Sequence, residues 1–531
     1  MRPTETPNQS NRVMNDSALP TTSTLTAIAA DRVRKIPVEW LVALVIGLVH
    51  LAVAGRYDIF RNELYFIVCG RHPDFGFVDQ PPLVPLLAAA TQLFGDKPWL
   101  LRLPAVAAAA GLVILTASFA RLLGGNSTAA FIAGLAAGIA PALIALTTTT
   151  TTATFEPISW TAFAYFLTQA IVQEDRRAVV WAGVVAGIAM EAKYGIAFWV
   201  APLGIGVILT SARRILAWPA LWLGVLIALL LAVPSLVWQA LHMWPFLEVH
   251  ANHLSSGANF TGTPVRFEIF QLFAMNILLA PLWIAGVVAP FFWAPLKPAR
   301  FLSMGLIGAT ILVFLAHGKD YYLFPVYPSL FAVGAVVLAR IRSVVRTMWL
   351  AAALIVSLIV APIVLPILDP PALAAYLSFT HLAPPPSEAA AVGAPLTQLF
   401  SDELGWRDLE KQVASVYHSL PAQERSRTAI LAADYGEAAA LDVYGQRDGL
   451  PPALCGQNQY FLWGARGYDG STIIHINGDP NRWRRGCDSV EVVGKFGVQY
   501  AMPYENARPI FICRGLRRNL SEIWSRLKRY E

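Results

Sequence analysis

Eleven apolar segments of about the length that crosses a bilayer fill most of the first 367 residues of this chain. They are 37–55, 98–121, 127–146, 155–172, 178–191, 193–210, 215–239, 269–295, 301–316, 323–340 and 346–367. Inside hydrocarbon each backbone N–H and C=O must be bonded within the chain, so segments of this kind cross as helices. The composition agrees: 14% of residues are charged and 56% hydrophobic, against about a quarter charged in a soluble domain. The chain is expected to be a polytopic α-helical membrane protein. Segments 178–191 and 193–210 are short, and a single pair broken at Glu191–Lys193 is an alternative reading. The Pro-led stretch 81–94 fits a helix lying at the membrane interface.

The connections sort into two kinds. One kind is short and basic: DRVRK at 31–35, Arg121, EDRR at 174–177, SARR at 211–214, KPAR at 297–300 and RIRSVVR at 340–346. The other holds acids, histidines and aromatics: 56–97, the threonine run 147–154 with Glu156, Glu191 to Tyr194, 240–268, and His317 to Tyr322. With eleven crossings the two kinds alternate sides, and the positive-inside rule puts the basic set in the cytoplasm. The excess of 40 basic over 34 acidic residues then reads as loop charge, not as a nucleic-acid footprint. Residues 1–35 are polar, lack the apolar core of a signal peptide, and are expected to form a disordered cytoplasmic tail.

Residues 36–368 therefore read as the membrane domain, with outer loops 56–97 and 240–268, and 369–397 as a Pro/Ala linker. From 398 to 531 the chain reads as a soluble α/β domain on the same outer side. A helix is predicted at 403–419, a strand at 428–436, a helix at 437–444, strands at 471–478, 489–496 and 508–515, and a last helix at 518–528. No Walker loop or GxGxxG is present. Cys69, Cys455, Cys487 and Cys513 show no CxxC spacing, which argues against a thiolate metal site. Three pairings are open among the last three, Cys487 with Cys513 included, as are isolated thiols.

The outer connections carry the candidate chemistry. Phe60 to Leu83, FRNELYFIVCGRHPDFGFVDQPPL, sets many polar groups between apolar segments, where burial in lipid would cost about 2.5–3.5 kcal/mol each. Glu63 could act as a general base for an acceptor hydroxyl or amine, or simply pair with Arg61 or Arg71. Asp79 and Gln80 sit at a bend stiffened by Pro81 and Pro82, a place that also suits an ordinary capping acid. Glu156 stands at the outer end of its segment, as a first-turn acid can. Lys193, Tyr194, His317, Lys319, Tyr321, Tyr322 and Arg102 form a basic and aromatic group on the side where cations are unusual. Such a group suits a lipid-linked phosphate; pairing of Lys319 with Asp320 and an interfacial tyrosine belt are the plainer reading. Glu248, His250 and His253 could ligate a divalent metal, with Asp79, although solvated loop residues share that loose spacing.

Taken in order, the stretches 60–83, RLP at 102–104, TFEPISW, AKYG at 192–195, WPFLEVHANH at 244–253, KDYYLFPVYP at 319–328, and the C-terminal ADYGEAAALDVYG and QYFLWG resemble bacterial glycosyltransferase family 39. That group includes relatives of protein O-mannosyltransferases and aminoarabinose lipid A transferases. The resemblance spans most of 37–520 and implies a membrane-embedded fold of the C superfamily of glycosyltransferases (GT-C). It implies transfer of a sugar from a polyprenyl-phosphate carrier, with inversion, to an acceptor outside the cytoplasm of a bacterial cell. The family's first-loop motif is commonly Asp-Glu; here it is Asn62-Glu63, and Glu156 matches the second acidic position.

The expectation is therefore an inner-membrane, polyprenyl-phosphate-sugar-dependent transferase with a periplasmic site and C-terminal domain. Glu63 would be the general base, Glu156 would orient acceptor or sugar, and Lys193, Lys319 and Arg102 would hold the carrier phosphate. Asn62 raises the alternative of a non-catalytic member, and a flippase for a lipid-linked sugar is a third reading. Polyprenyl phosphate is ionised at neutral pH, so charge stabilisation and one base matter more than a metal; no cofactor is required, and a divalent ion stays open. The partners expected are the lipid-linked donor, a glycan or lipid acceptor and membrane lipids, with no nucleic acid.

Overall fold

The computed structural model describes residues 37–256, 263–385 and 391–531. The predicted tail 1–35 lies outside the described residues. The chain divides into a unit of residues 1–38, of which only 37 and 38 are described, and a compact unit from Glu39 to Glu531.

Every one of the eleven predicted segments is helical, but several are broken. Five helical stretches are long and apolar enough to cross a membrane: Leu103–Leu122, Pro219–Leu241, Ala294–Leu315, Asp320–Leu338 and Ser343–Val364. Two bent pairs, Tyr194–Ile208 with Ser211–Ala217 and Pro264–Ala274 with Ile277–Phe292, raise the number to seven among the described residues if each pair is one span. Val38–Val53 and Ser127–Ile139 are apolar but shorter, and Leu83–Gln92 is the short helix expected at 81–94. The chain is thus a multi-pass membrane protein, with fewer self-sufficient spans than eleven.

The breaks have identifiable causes. Ala140 is extended before Pro141, as a residue preceding proline prefers, and this separates Ser127–Ile139 from Pro141–Leu146. The predicted span 269–295 turns by 93° at Asn276. There the backbone adopts φ 68°, the Asn276 side chain accepts the Leu278 N–H, and its amide donates to Ala353 O and Ser357 Oγ, each at 2.8 Å. One buried polar residue thus replaces the helical bonds that the bend gives up.

Small residues let the helices approach closely. A Cβ on Gly183 would lie 2.1 Å from the Gly224 carbonyl oxygen, and one on Gly334 would lie 1.8 Å from that of Leu282. Close backbone contact of this sort gives packing attraction where lipid supplies no hydrophobic drive.

The C-terminal domain has three layers. Strands β1 (Thr428–Ala432), β2 (Leu454–Cys455), β3 (Thr472–Ile476), β4 (Cys487–Phe496) and β5 (Arg508–Leu516) form one sheet ordered β2-β1-β3-β5-β4. β1 pairs with β2 and β3 in parallel, and β5 pairs with β3 and β4 antiparallel. Alternate residues face opposite ways, so both faces are covered. Ile430, Ile474 and Ile512 share a core with helices Trp406–Ser419 and Tyr435–Tyr444. Ala429, Leu431 and Ile473 pack with Leu520 and Trp524 on the other face. The two-residue strand β2 escaped the sequence reading because its run is too short to show a period. The segment expected as a linker carries the helix Pro370–Thr380, started by Asp369 accepting the Ala372 N–H and by proline at the first turn. Cys487 and Cys513 are joined in a disulfide between β4 and β5, while Cys69 and Cys455 are buried free thiols.

The first outer loop is not separate from this domain. Ile59, Phe66, Phe77 and Leu101 lie in the same hydrophobic core as Trp406, Leu409, Ile474 and Ile512. Two substitutions test the helix packing. Gly183→Val forces a side chain into the facing backbone and should lower stability by roughly 1–3 kcal/mol or more. Gly204→Val, where nothing lies within 4 Å, should change little. Thermal melts of the detergent-purified chain would show equal midpoints for both variants if the close approach were unimportant.

Candidate functional site

The first polar centre forms where the outer loop meets the C-terminal domain. Helix Arg61–Arg71 starts with Glu63 in its first turn, and Glu63 reaches back to accept the Phe60 N–H at 3.0 Å. This satisfies one of the amides a helix start leaves free. The other Glu63 oxygen accepts the Thr150 N–H at 2.7 Å, which ties in the threonine run. Arg102, at the start of helix Leu103–Leu122, lies against Glu63 at 2.9 Å and against Glu403 at 3.0 Å. All three side chains are 0% exposed. Arg102 also donates to the carbonyls of Ala54 and Asp58, each at 2.9 Å. Its charge and most of its donors are therefore used inside the protein.

Glu63 was expected to be the base, and Arg102 a phosphate ligand. The structure commits both to each other. A fully buried carboxylate whose oxygens already accept two backbone amides and a guanidinium has no open position for an acceptor proton.

Asn62 accepts the Tyr435 O–H at 2.9 Å. An aspartate would accept the same bond, so this contact does not by itself favour asparagine. Arg61 lies under the rings of Tyr435 and Tyr504, and its backbone N–H bonds Asp402 O at 3.0 Å. Asp79 accepts from Tyr65 O–H at 2.9 Å and from the Asn458 amide at 3.3 Å. Burial pushes the Asp79 carboxyl up to about 6, against the pull of those donors. Gln80 is buried with its amide 3.9 Å from Cys69 Sγ, and its carbonyl accepts the Phe77 N–H. Asp79 thus fastens the loop to the C-terminal domain through Asn458, while Gln80 braces the loop internally.

The second centre is more open. Glu156 begins helix Glu156–Gln173, and its carboxylate accepts from Lys193 Nζ at 2.7 Å. Lys193 sits in extended backbone between helices Arg176–Ala192 and Ala197–Ile208, at the predicted break. Its ammonium lies 5.6 Å and 4.9 Å from the ring centres of Tyr321 and Tyr322, within reach of a cation–π attraction. The Lys193 side chain keeps 21% exposure, whereas the Arg102 side chain has none. Gly195 leaves space here: a Cβ would stand 2.2 Å from the second Glu156 oxygen and would displace the carboxylate from its present place. The fragment AKYG therefore places lysine on the carboxylate and leaves room for it.

Tyr194 packs edge-on against Phe246 at 4.8 Å, which brings the helix Pro245–Ser256 beside the break. Lys319 precedes the turn Asp320–Val326 that carries the two tyrosines, and His317 is exposed just before it. The metal expectation is not met in geometry. Among the described residues no three His, Cys, Asp or Glu side chains gather to hold an ion. Glu248 instead pairs with Lys528 at 2.7 Å, and Asp79 is engaged as above, so Asp79, Glu248 and His250 form no ligand set.

Sequence reasoning missed Glu403, which lies about 300 positions beyond Arg102 along the chain. The available signal was the acidic pair Asp402-Glu403 between an apolar Leu-Phe and Trp406, at the very start of the soluble domain.

Comparison with known proteins follows the same outline. Residues 79–238 match the family described as dolichyl-phosphate-mannose-protein mannosyltransferase. That range includes Arg102, Glu156 and Lys193, but neither Glu63 nor the tyrosine pair. ArnT from Cupriavidus metallidurans in the apo state is 16% identical with a TM-score of 0.59, over 92% of this chain and 98% of that one. The same protein bound to undecaprenyl phosphate is 14% identical with a TM-score of 0.56, over 93% of this chain and 98% of that one. No curated protein matches by sequence. The family match over part of the chain and the shared fold agree with the family resemblance read from the sequence.

The Arg102 cluster gives a direct test. Arg102→Met leaves Glu63 and Glu403 buried together without their cation, which should cost roughly 3–5 kcal/mol. The expected result is a large fall in melting midpoint and in folded protein recovered from membranes. A variant as stable as the parent would show that the cluster does not hold the loop and domain together.

Proposed function

We propose that this chain is an inverting glycosyltransferase of a bacterial inner membrane, taking a sugar from a polyprenyl-phosphate carrier and passing it to an acceptor outside the cytoplasm. The observation that carries the reading is Lys193: a partly exposed lysine side chain at a helix break, its ammonium between the Glu156 carboxylate and two tyrosine rings. The family match across 79–238 and the fold shared with a protein crystallised with undecaprenyl phosphate support it.

In this reading the acceptor hydroxyl or amine attacks the anomeric carbon as the bond from that carbon to the phosphate oxygen breaks. Lys193 stabilises the charge that gathers on the departing phosphate, and the tyrosines face the same place. A phosphate drawn to Lys193 also loosens its hold on Glu156, which leaves a Glu156 oxygen to take the acceptor proton. We therefore move the base role from Glu63 to Glu156, and read Glu63 and Arg102 as the groups that fix the loop around it. Asp79 keeps that loop on the C-terminal domain, Gln80 braces the loop itself, and Lys319 and His317 extend the polar rim. The Cys487–Cys513 disulfide suits an oxidising compartment and favours a periplasmic C-terminal domain, as the basic loops do. Lipid A, an envelope glycan, another lipid or a protein are the acceptors to be distinguished.

The test has two parts. Undecaprenyl phosphate should raise the melting midpoint of the purified chain, and Lys193→Ala should weaken that response by about ten-fold in concentration, as loss of one charge-assisted contact of about 1.4 kcal/mol would. Glu156→Gln should still respond to the lipid yet fail to restore a missing sugar in the envelope glycans of deletion cells, read by mass spectrometry. A Lys193→Ala protein that responds like the parent, or a Glu156→Gln protein that restores the sugar, overturns these roles.

A further inference from the structure

We propose that Glu403 is a positioning residue which the C-terminal domain delivers into the buried Glu63–Arg102 cluster, where a protonated, neutral carboxyl holds Arg102 and leaves the arginine's charge to Glu63, so that the first outer loop is held in place for the transferase centre. The inference rests on the transferase reading for its functional part, and on the buried cluster alone for where the proton resides.

The bonding is lopsided. Glu63 accepts from Arg102 Nε and from its terminal nitrogen, as well as from the amides of Phe60 and Thr150. Glu403 receives a single bond from Arg102, and its second oxygen is buried with no hydrogen-bond partner. One guanidinium cannot balance two buried carboxylates, and the poorly bonded one is the one that keeps a proton.

The surroundings agree. Asp58 faces the cluster from the loop before helix Arg61–Arg71, but its own oxygens are held by Arg407 at 2.8 Å and by Tyr444 at 2.9 Å. Tyr57 donates its hydroxyl to the Leu368 carbonyl. Asp402, next in the chain, turns toward Arg61 and Tyr504. Arg102 is thus the one cation bonded to Glu403 among the described residues. Burial, followed by the Glu63 and Asp58 charges, pushes the Glu403 carboxyl up to about 8 against the pull of Arg102.

The consequence for stability has a definite sign. Unfolded, Glu403 loses its proton near the usual 4.5; folded, it keeps it to about 8. Between those values the folded chain holds one more proton than the unfolded chain, so this group's contribution to stability falls as pH rises and is level above about 8. Glutamine resembles the neutral acid and has no proton to lose.

The experiment compares the full chain, Glu403→Gln and Glu403→Ala. In detergent, the melting midpoint of Glu403→Gln should gain steadily on the parent from pH 5 to pH 8 and then hold its lead. A gap that does not change with pH overturns the proton assignment. In deletion cells, Glu403→Ala should reduce the transferred sugar by about ten-fold and Glu403→Gln should restore most of it. Glutamine as deficient as alanine, or alanine as competent as the parent, overturns the positioning role. If the parent itself neither transfers a sugar nor responds to undecaprenyl phosphate, the transferase reading fails, while the melting series still decides where the proton resides.

Discussion

One buried guanidinium joins most of what matters in this molecule. Arg102 comes from the start of a long membrane helix, Glu63 from the first outer loop and Glu403 from the soluble domain. Hydrophobic contact alone would let the domain settle on the membrane part in several ways, because apolar surface is not directional. A fully desolvated ion cluster tolerates one register, since any slip strands a charge away from water. The shared core of Ile59, Phe66 and Phe77 with Trp406 and Ile474 supplies attraction, and the Arg102 cluster selects the arrangement. Both are needed for a loop so rich in polar groups to stay ordered beside lipid.

The same economy of charges shapes the open centre. A lysine at a membrane boundary is costly unless partnered, and Lys193 has Glu156 and two aromatic faces. Broken helices make this possible. The extended residue at 193 and the turn at 320–326 present backbone and side chains that a continuous helix would direct into lipid or into a neighbour. Irregular backbone at such a depth is tolerated where protein surrounds it. The glycine at 195 then lets the carboxylate and the break lie in contact.

Much of this was legible in the sequence, and the remainder was hidden for physical reasons. Apolar length located helix in each of the eleven predicted segments, because hydrocarbon enforces a simple rule on each segment separately, but not the breaks that leave five to seven stretches long enough to cross among the described residues. The α/β tail was legible from short runs such as TAILA and STIIHI, and so was the grouping of Lys193 with the tyrosines. What composition could not show was partnership across distance. Nothing local to Glu63 says that Arg102 and Glu403 will enclose it, so an available base and a buried anchor look alike in one dimension. The bend at Asn276 was hidden likewise, since its compensating bonds come from residues 353 and 357.

The partition of roles between two carboxylates follows from this distinction. A group that must exchange protons with an acceptor needs a partner that can leave, and on the proposed reading an arriving phosphate draws Lys193 away from Glu156. A group that must hold a loop against a second domain needs a partner that cannot leave, and Arg102 is bound from four sides. Exposure separates them: Lys193 retains contact with solvent, while Arg102 has none. On the proposed reading the chain keeps its fully buried ion cluster where the parts join and its partly exposed one where the chemistry would occur.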